Sequence, residues 1–395
     1  MKNHLHYIPL QKVNPETVKL KDLSELIRVE MDVDKTVSEN FPINAFGKDD
    51  DDLKVLGAKA LLQAFYKIDN VKYDLVYEYG NIEFLGLSED KDIIFNFKED
   101  NVNASGIYEF TSQFYDLFKM GKYANWLVSR NYEDLLSENL TKLLEKQKDT
   151  KKQFRFIREG KNEFLRGFTS TSYKNYDNNL CIYLIFLALH EQSKKHNINF
   201  SIDRAYLSDS AFKIYFEQEQ PISIDGLGDV YFGAYATNNE IRETQFSFEI
   251  RYRIVDPEDP NVYFSAMPQL RDSVFEIRKN YGLEKIKERF SNINRIKEIQ
   301  ESMIEYIEAL KSVKEITPDE LRRLYGKITD SRDFTSGTKS KMTDLYNKNL
   351  VRNTYTILQL LNKINTITVD LDELQYLERI YNDFISELIE NQKRK

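Results

Sequence analysis

Residues 178–194, NNLCIYLIFLALHEQSK, are apolar on nearly every side of a helix, and this segment constrains the fold more than any other. A surface helix carries an apolar stripe on one face only; one that is apolar all round must be enclosed by protein. It is too short, and too polar at its end, to cross a membrane. The chain must therefore build layers around it. Flanking segments supply them: FSIDRAYL, AFKIYFEQ, DVYFGAYA and TQFSFEIRYRIV read as strands. In the last, Phe246, Phe248, Ile250, Tyr252 and Ile254 alternate with Gln245, Ser247, Glu249, Arg251 and Arg253, which predicts one buried and one wet face.

The expected class is α+β: a central antiparallel sheet with packed helices, followed by a helical C-terminal region. With 395 residues the chain is expected to divide into an N-terminal mixed α/β region (1–104), a central sheet domain with the core helix (105–265) and a helical region (266–395). In the first, residues 72–97 read as a hairpin turning at Gly80-Asn81 plus a third strand. The four aspartates 49–52 read as the N-terminal cap of the helix that follows. QFRFIRE and EFLRGFTS read as two strands, with Phe154 and Phe156 on one face and Arg155 on the other. In the helical region, apolar residues from Leu283 to Leu310 step by three or four along some thirty residues. Thr317, Pro318 and Glu320 form a capping box, and two further helices are expected near 339–364 and 371–391.

Several chemistries are excluded. Cys181 is the only cysteine, so no intramolecular disulfide and no thiolate metal cluster can form; inside the apolar helix its thiol is inert. His190 and His196 are six apart, too far to share a helical face, and His4 and His6 lie at the chain start, so no metal or cofactor is expected. Gly-rich phosphate loops, G-x-S-x-G elbows and H-E-x-x-H helices do not occur. The start, MKNHLHYIPLQKV, lacks a signal peptide's apolar core, and no long apolar run occurs. The expectation is a cytoplasmic protein with no membrane partner.

The stretch FLRGFTSTSYKNYDNN (164–179) carries two resemblances. Ser170-Thr171-Ser172, with Glu217-Gln218-Glu219 further on, resembles the Ser-Thr-Ser and Glu-x-Glu motifs of arginine-class ADP-ribosyltransferases. That resemblance implies an enzyme with a catalytic glutamate. A longer one runs over residues 105–255. Arg166, Ser170 and Tyr173, then Asp177-Asn178, then Gly233, Asn238 and Glu240 in GAYATNNE, follow in the order of the phage- and plasmid-encoded family of unknown function numbered 932. Here Thr171-Ser172 replaces that family's Asp-Arg, and DPEDP replaces its Cys-Asn-Gly. The second resemblance implies a mobile-element accessory protein in a host cytoplasm that works by binding rather than catalysis. Its partner would be nucleic acid, in replication or recombination, or a host protein, in takeover or counter-defence.

On this reading Arg166, Ser170, Tyr173, Asp177, Asn178, Asn238 and Glu240 are the candidate groove residues. The simpler structural role for Asp177-Asn178 is capping the core helix, and for Asn238-Asn239-Glu240 a turn. A separate candidate nucleic-acid face comprises Arg278, Lys279, Lys285, Lys287, Arg289, Arg295 and Lys297. Residues 271–353 hold 18 Lys or Arg against 14 Asp or Glu in a chain of net charge -8. Acidic neighbours at helical spacing make an ordinary solvated face the competing expectation. The long amphipathic C-terminal helices leave homo-oligomerisation open.

Overall fold

The computed structural model describes residues 8–11, 15–241, 246–268, 274–277, 281–293, 295–313 and 315–394. It is an α+β protein with two sheets. The core helix spans Asn178–His196 and is buried continuously from Asn178 to His190. It ends where Asn197 turns left-handed (φ 53°), as Asn tolerates, and Ile198 N–H closes onto Ser193 O. The N-terminal segments cover the side that the sheet does not. Tyr183 donates to Phe41 O at 2.6 Å, Asn179 to Leu26 O at 2.8 Å, and Lys54 N–H to His190 Nδ1 at 3.1 Å. An all-apolar helix needs this enclosure, and the polar contacts fix its register within it.

The larger sheet orders its main strands Ile8–Gln11, Phe200–Leu207, Ala211–Gln218, Gly228–Asn239, Phe246–Val255 and Tyr263–Ala266. Ile222–Ile224 and Val274–Ile277 pair onto it antiparallel, and Val55–Leu56 pairs parallel to Phe200–Leu207. The wet face expected on Phe246–Val255 is covered. The C-terminal helix, Leu371–Arg394, brings Glu378 to Arg251 (two bonds of 2.9 Å) and Arg379 to Glu249 (2.8 Å). Arg204 and Arg251 also lie over the Tyr215 ring, at 4.3 and 5.1 Å. Alternation predicted the two faces correctly but not that a distant acidic helix would close the polar one.

Gly233 pairs with Glu217 of the neighbouring strand Ala211–Gln218. A Cβ there would lie 1.9 Å from Phe216 O. Gly233→Ala must therefore push two backbones apart. It is expected to destabilise by about 1–3 kcal/mol, the cost of overpacking, in urea unfolding; an unchanged midpoint would contradict the close approach.

The smaller sheet runs Val71–Glu78, Lys151–Glu159, Asn162–Thr169, Val102–Gly106, Ile93–Phe97 and Ile82–Leu87. Its inner face packs on helices Phe110–Leu117, Gly121–Ser129 and Glu133–Lys146 through a ring cluster including Phe95–Phe114 (4.8 Å) and Phe97–Phe156 (5.0 Å). Three expectations change here. No hairpin forms at Gly80-Asn81, because Val71–Glu78 and Ile82–Leu87 are opposite edges of the sheet; Tyr79 and Gly80 instead bond back to Thr150 O and Lys148 O. The division at 104/105 cuts through this sheet, whose edge strand pairs with residues some eighty positions later. Asp50 and Asp52 do not cap a helix but pair with Lys21 and Lys19, both at 2.7 Å, while the next helix begins at Ala58 after a left-handed Gly57.

The C-terminal region is helical as expected, but the helix expected near 339–364 is two, Ser336–Lys348 and Ile357–Ile364, separated by a turn and an extended stretch. The Thr317–Glu320 capping box is present, and the long run resolves into Leu283–Ile293 and Ile296–Glu308 with Ala309–Ser312 closing it. The apolar stripes of these helices share one core with the larger sheet and the core helix.

Candidate cleft at the junction of the two sheets

Asp177 is the N-cap residue of the core helix, yet its carboxylate makes no capping bond. It is drawn away by arginines: Arg155 at 2.5 Å and Arg166 at 3.1 Å, with Arg28 at 3.7 Å. Glu240, at the end of strand Gly228–Asn239, caps the helix instead, its Oε1 accepting from Asn178 N–H at 2.9 Å. Two carboxylates thus stand at the positive end of a helix, where the macrodipole favours them. Glu240 also pairs with Arg166 and, at 3.1 Å, with Lys72. Asp69 joins Arg28 (2.6 Å) to Lys72 (2.9 Å), and Asp74 takes Arg155 at 3.3 Å. Asn238 donates to Asn178 Oδ1 at 2.9 Å.

Four cations and four carboxylates therefore interlock where the N-terminal region, the smaller sheet, the core helix and the larger sheet meet. Lys72, Arg155, Arg166, Asp177 and Glu240 are all at most 3% exposed. Charges this deep are tolerated only when every one is paired. Burial alone would raise Asp177, but Arg155, Arg166 and Arg28 outweigh it and hold the carboxyl far below the usual range. Burial likewise opposes charge on Arg166, and Glu240 and Asp177 hold it charged. Asp69 is lowered in the same way by Lys72 and Arg28. Tyr108, left-handed at φ 58°, adds a hydroxyl bond to Asp209 from the smaller sheet's side.

Five of the seven candidate groove residues, Arg166, Asp177, Asn178, Asn238 and Glu240, are thus brought together, but as a buried clamp. A ligand cannot reach Arg166. Ser170 and Tyr173 lie apart from the clamp core, on an open cleft of about 610 Å³ whose wall includes Arg155, Glu240, Lys119 and Lys152. Sequence reading missed Arg28, Lys72, Asp69 and Asp74; nothing local distinguishes them from solvated charges. Arg155 was visible as the odd residue between Phe154 and Phe156, and its strand position is what turns it inward.

The cleft lining includes Thr169, Ser170 and Tyr173, two acids, Asp116 and Glu240, and apolar Leu117, Phe168 and Ile241. Lys119, exposed, and Lys152, half-buried, are in no ion pair among the described residues. Two residues past Lys119 begins helix Gly121–Ser129, which carries an exposed aromatic trio together with the turn that follows it. Tyr123 stacks on Trp126 with centroids 6.1 Å apart, and Trp126 meets Tyr132 edge-on at 5.8 Å. Each ring is nearly half exposed, and exposed Lys122 and Arg130 flank them.

The other candidate positions carry less. Arg278 and Lys279 lie outside the described residues. Lys285 pairs with Glu288, Lys287 with Glu284, Arg295 with Glu298 and Lys297 with Glu301, all at helical spacing, so that face reads as ordinary solvated helix. Arg289 makes no such pair among the described residues. Ser170-Thr171-Ser172 is a turn after strand Asn162–Thr169, not part of it. Glu217 is bound by Arg251 at 3.2 Å and Arg253 at 2.7 Å. The clamp end of strand Ala211–Gln218 adjoins Glu240, and Glu217 lies six residues along it, roughly 20 Å away at strand rise. The geometry does not assemble a Ser-Thr-Ser and Glu-x-Glu centre.

Among the described residues no helix is long and apolar enough to cross a membrane, and no group of three or more His, Cys, Asp or Glu is placed to hold a metal ion. No family model, no curated protein and no solved structure matches the chain.

Proposed function

We propose that the chain acts by binding, and that the cleft with its neighbouring aromatic trio takes a single strand of nucleic acid. The observation that carries this reading is that cleft residues including Lys119 and an exposed aromatic trio follow closely in the chain. Lys119 and Lys152 line the cleft, in no ion pair among the described residues, and Lys119 stands two residues before the helix that exposes Tyr123 and Trp126, with exposed Tyr132, Lys122 and Arg130 near them in sequence. Sequence-tolerant single-strand binding needs that combination: cations for the backbone and aromatic faces on which bases stack. Thr169, Ser170 and Tyr173 supply hydroxyls for phosphate or sugar oxygens. A net charge of -8 confines such binding to this local surface and opposes coating of duplex. Carriage on a phage or plasmid belongs to the same proposal and rests on the motif order alone.

The test is anisotropy with labelled single-stranded and duplex oligonucleotides at two salt concentrations. Single strands should bind, more weakly as salt rises. Lys119→Glu with Lys152→Glu should remove roughly 1.4 from the log–log salt slope, about 0.7 per phosphate contact. Trp126→Ala should cost about 1–3 kcal/mol, the worth of one stacked base. Wild-type affinity in both variants would sink the reading.

A further inference from the structure

A second surface, on the far side of the larger sheet's hairpin, has the opposite character. Two cavities of about 670 and 340 Å³ share Glu315, Ile316 and Tyr355, so they form one groove. One wall is the turn between strands Ile222–Ile224 and Gly228–Asn239 together with the loop that follows Phe246–Val255. The other is the connection between helices Ile296–Glu308 and Pro318–Thr329 and the segment leading into Ile357–Ile364. The floor is apolar: Leu227, Val313, Ile316, Leu321, Tyr355 and Ile357 pack against the core yet remain partly open.

The rim is acidic. Asp225, Asp229, Asp256, Glu258 and Glu315 line the larger cavity with one cation, Lys311, and Arg352 lines the smaller one, so acids outnumber cations five to two along the groove. Among the described residues none of the five is in an ion pair. Asp229 accepts only the Ser223 hydroxyl, at 2.6 Å, and Asp256 the Glu258 amide, at 2.9 Å. On the helices Leu283–Ile293 and Ile296–Glu308, by comparison, Glu284, Glu288, Glu298 and Glu301 are each matched by a lysine or arginine one turn away. Acids alone would be an ordinary wet surface. An open apolar floor alone would admit many partners. Together they select a segment that is apolar on one side and cationic on the other, since such a segment fills the floor while its charges meet the uncompensated rim.

We infer that this groove docks a basic amphipathic peptide segment of a protein partner, with apolar side chains on the Ile316–Tyr355 floor and Lys or Arg on the Asp225–Glu258–Glu315 rim. The inference is independent of the cleft and its nucleic-acid reading, because the two surfaces share no residue.

The experiment uses the full chain and three labelled ten-residue probes: one alternating Lys with Leu, one alternating Glu with Leu and one alternating Lys with Ser. The Lys–Leu probe should bind at micromolar concentration and weaken with salt, and the other two should bind at least tenfold more weakly. The variant Asp225→Asn, Glu258→Gln, Glu315→Gln changes only exposed side chains. It should keep the wild-type melting temperature and lose at least tenfold in affinity for the Lys–Leu probe. Equal binding of Lys–Ser would reduce the groove to a general cation-attracting surface and overturn the inference, as would undiminished Lys–Leu affinity in the triple variant. Concentration-dependent dimerisation of the wild type that the triple variant abolishes would put a second copy of this chain in the groove, also overturning it.

Discussion

Replacing Glu240 by glutamine is expected to lower folding stability by about 3–5 kcal/mol, the cost of removing one partner from a buried ion pair. Glu240 is 1% exposed and serves three groups at once: Arg166, Lys72 and the Asn178 amide at the start of the core helix. Glutamine keeps the shape and one acceptor oxygen but leaves two buried cations short of one negative charge. Arg166→Met should cost a similar amount by stranding Asp177 and Glu240. The double variant should cost less than the sum of the two, with a coupling of about 0.5–3 kcal/mol, as for residues in one network. Urea unfolding of the four proteins measures this. A loss of under about 1 kcal/mol for Glu240→Gln, the range of exposed ion pairs, would mean that the two sheets are not held by this clamp.

The second large effect concerns pH. Asp34 is 3% exposed, and burial lifts its carboxyl from 3.8 to about 7, against the opposing bonds from Arg28 N–H and Asn179. The unfolded chain releases this proton near its ordinary value while the folded chain keeps it to about 7. Stability is therefore lost as pH rises from about 4 to 7, and the full cost applies above that. Asp177 and Asp69 behave oppositely: their folded values are depressed, so their contribution is present above the ordinary carboxylate value and lost as pH falls below it. His190, pushed down to about 4 by burial and then by Lys194, stays neutral in the fold and subtracts stability as pH drops from 6.5 toward 4. Asp34→Asn isolates the first effect. It should be stabilising at pH 8, by an amount on the order of 1–4 kcal/mol given about 1.4 kcal/mol for each tenfold change in proton affinity, and near neutral at pH 4. Equal effects at both pH values would show that the Asp34 carboxyl titrates at its ordinary value in the fold.

What the sequence showed and what it hid divide along a physical line. The core helix was legible because an all-apolar run has only one place to go, and the strand Phe246–Val255 because its alternation has period two. The capping box at Thr317 is local chemistry and formed as read. Pairing between distant segments is not local. Nothing in Val71–Glu78 announces Lys151–Glu159 as its neighbour, and Gly80-Asn81 resembles any hairpin turn. Burial of charge was hidden for the same reason. Arg155 and Arg251 sit at positions that alternation assigns to water, and it takes Asp177 from a turn and Glu378 from the last helix to make them interior residues. The ordered motif from Arg166 to Glu240 did mark residues that meet in space: Arg166, Asp177, Asn178, Asn238 and Glu240 form the clamp, and Ser170, Tyr173 and Glu240 line the cleft above it.

The proposed single-strand surface joins the cleft to the aromatic trio, and Trp126 reports on the trio. It is the only tryptophan in the chain, is nearly half exposed and stacks with Tyr123. The decisive measurement is the intrinsic fluorescence of the full protein titrated with an unlabelled single-stranded oligonucleotide. Single-strand binding predicts saturable quenching of Trp126 that added salt reverses and that duplex of the same length does not reproduce. Emission that stays constant through the titration would contradict it, because no base would then have reached the ring.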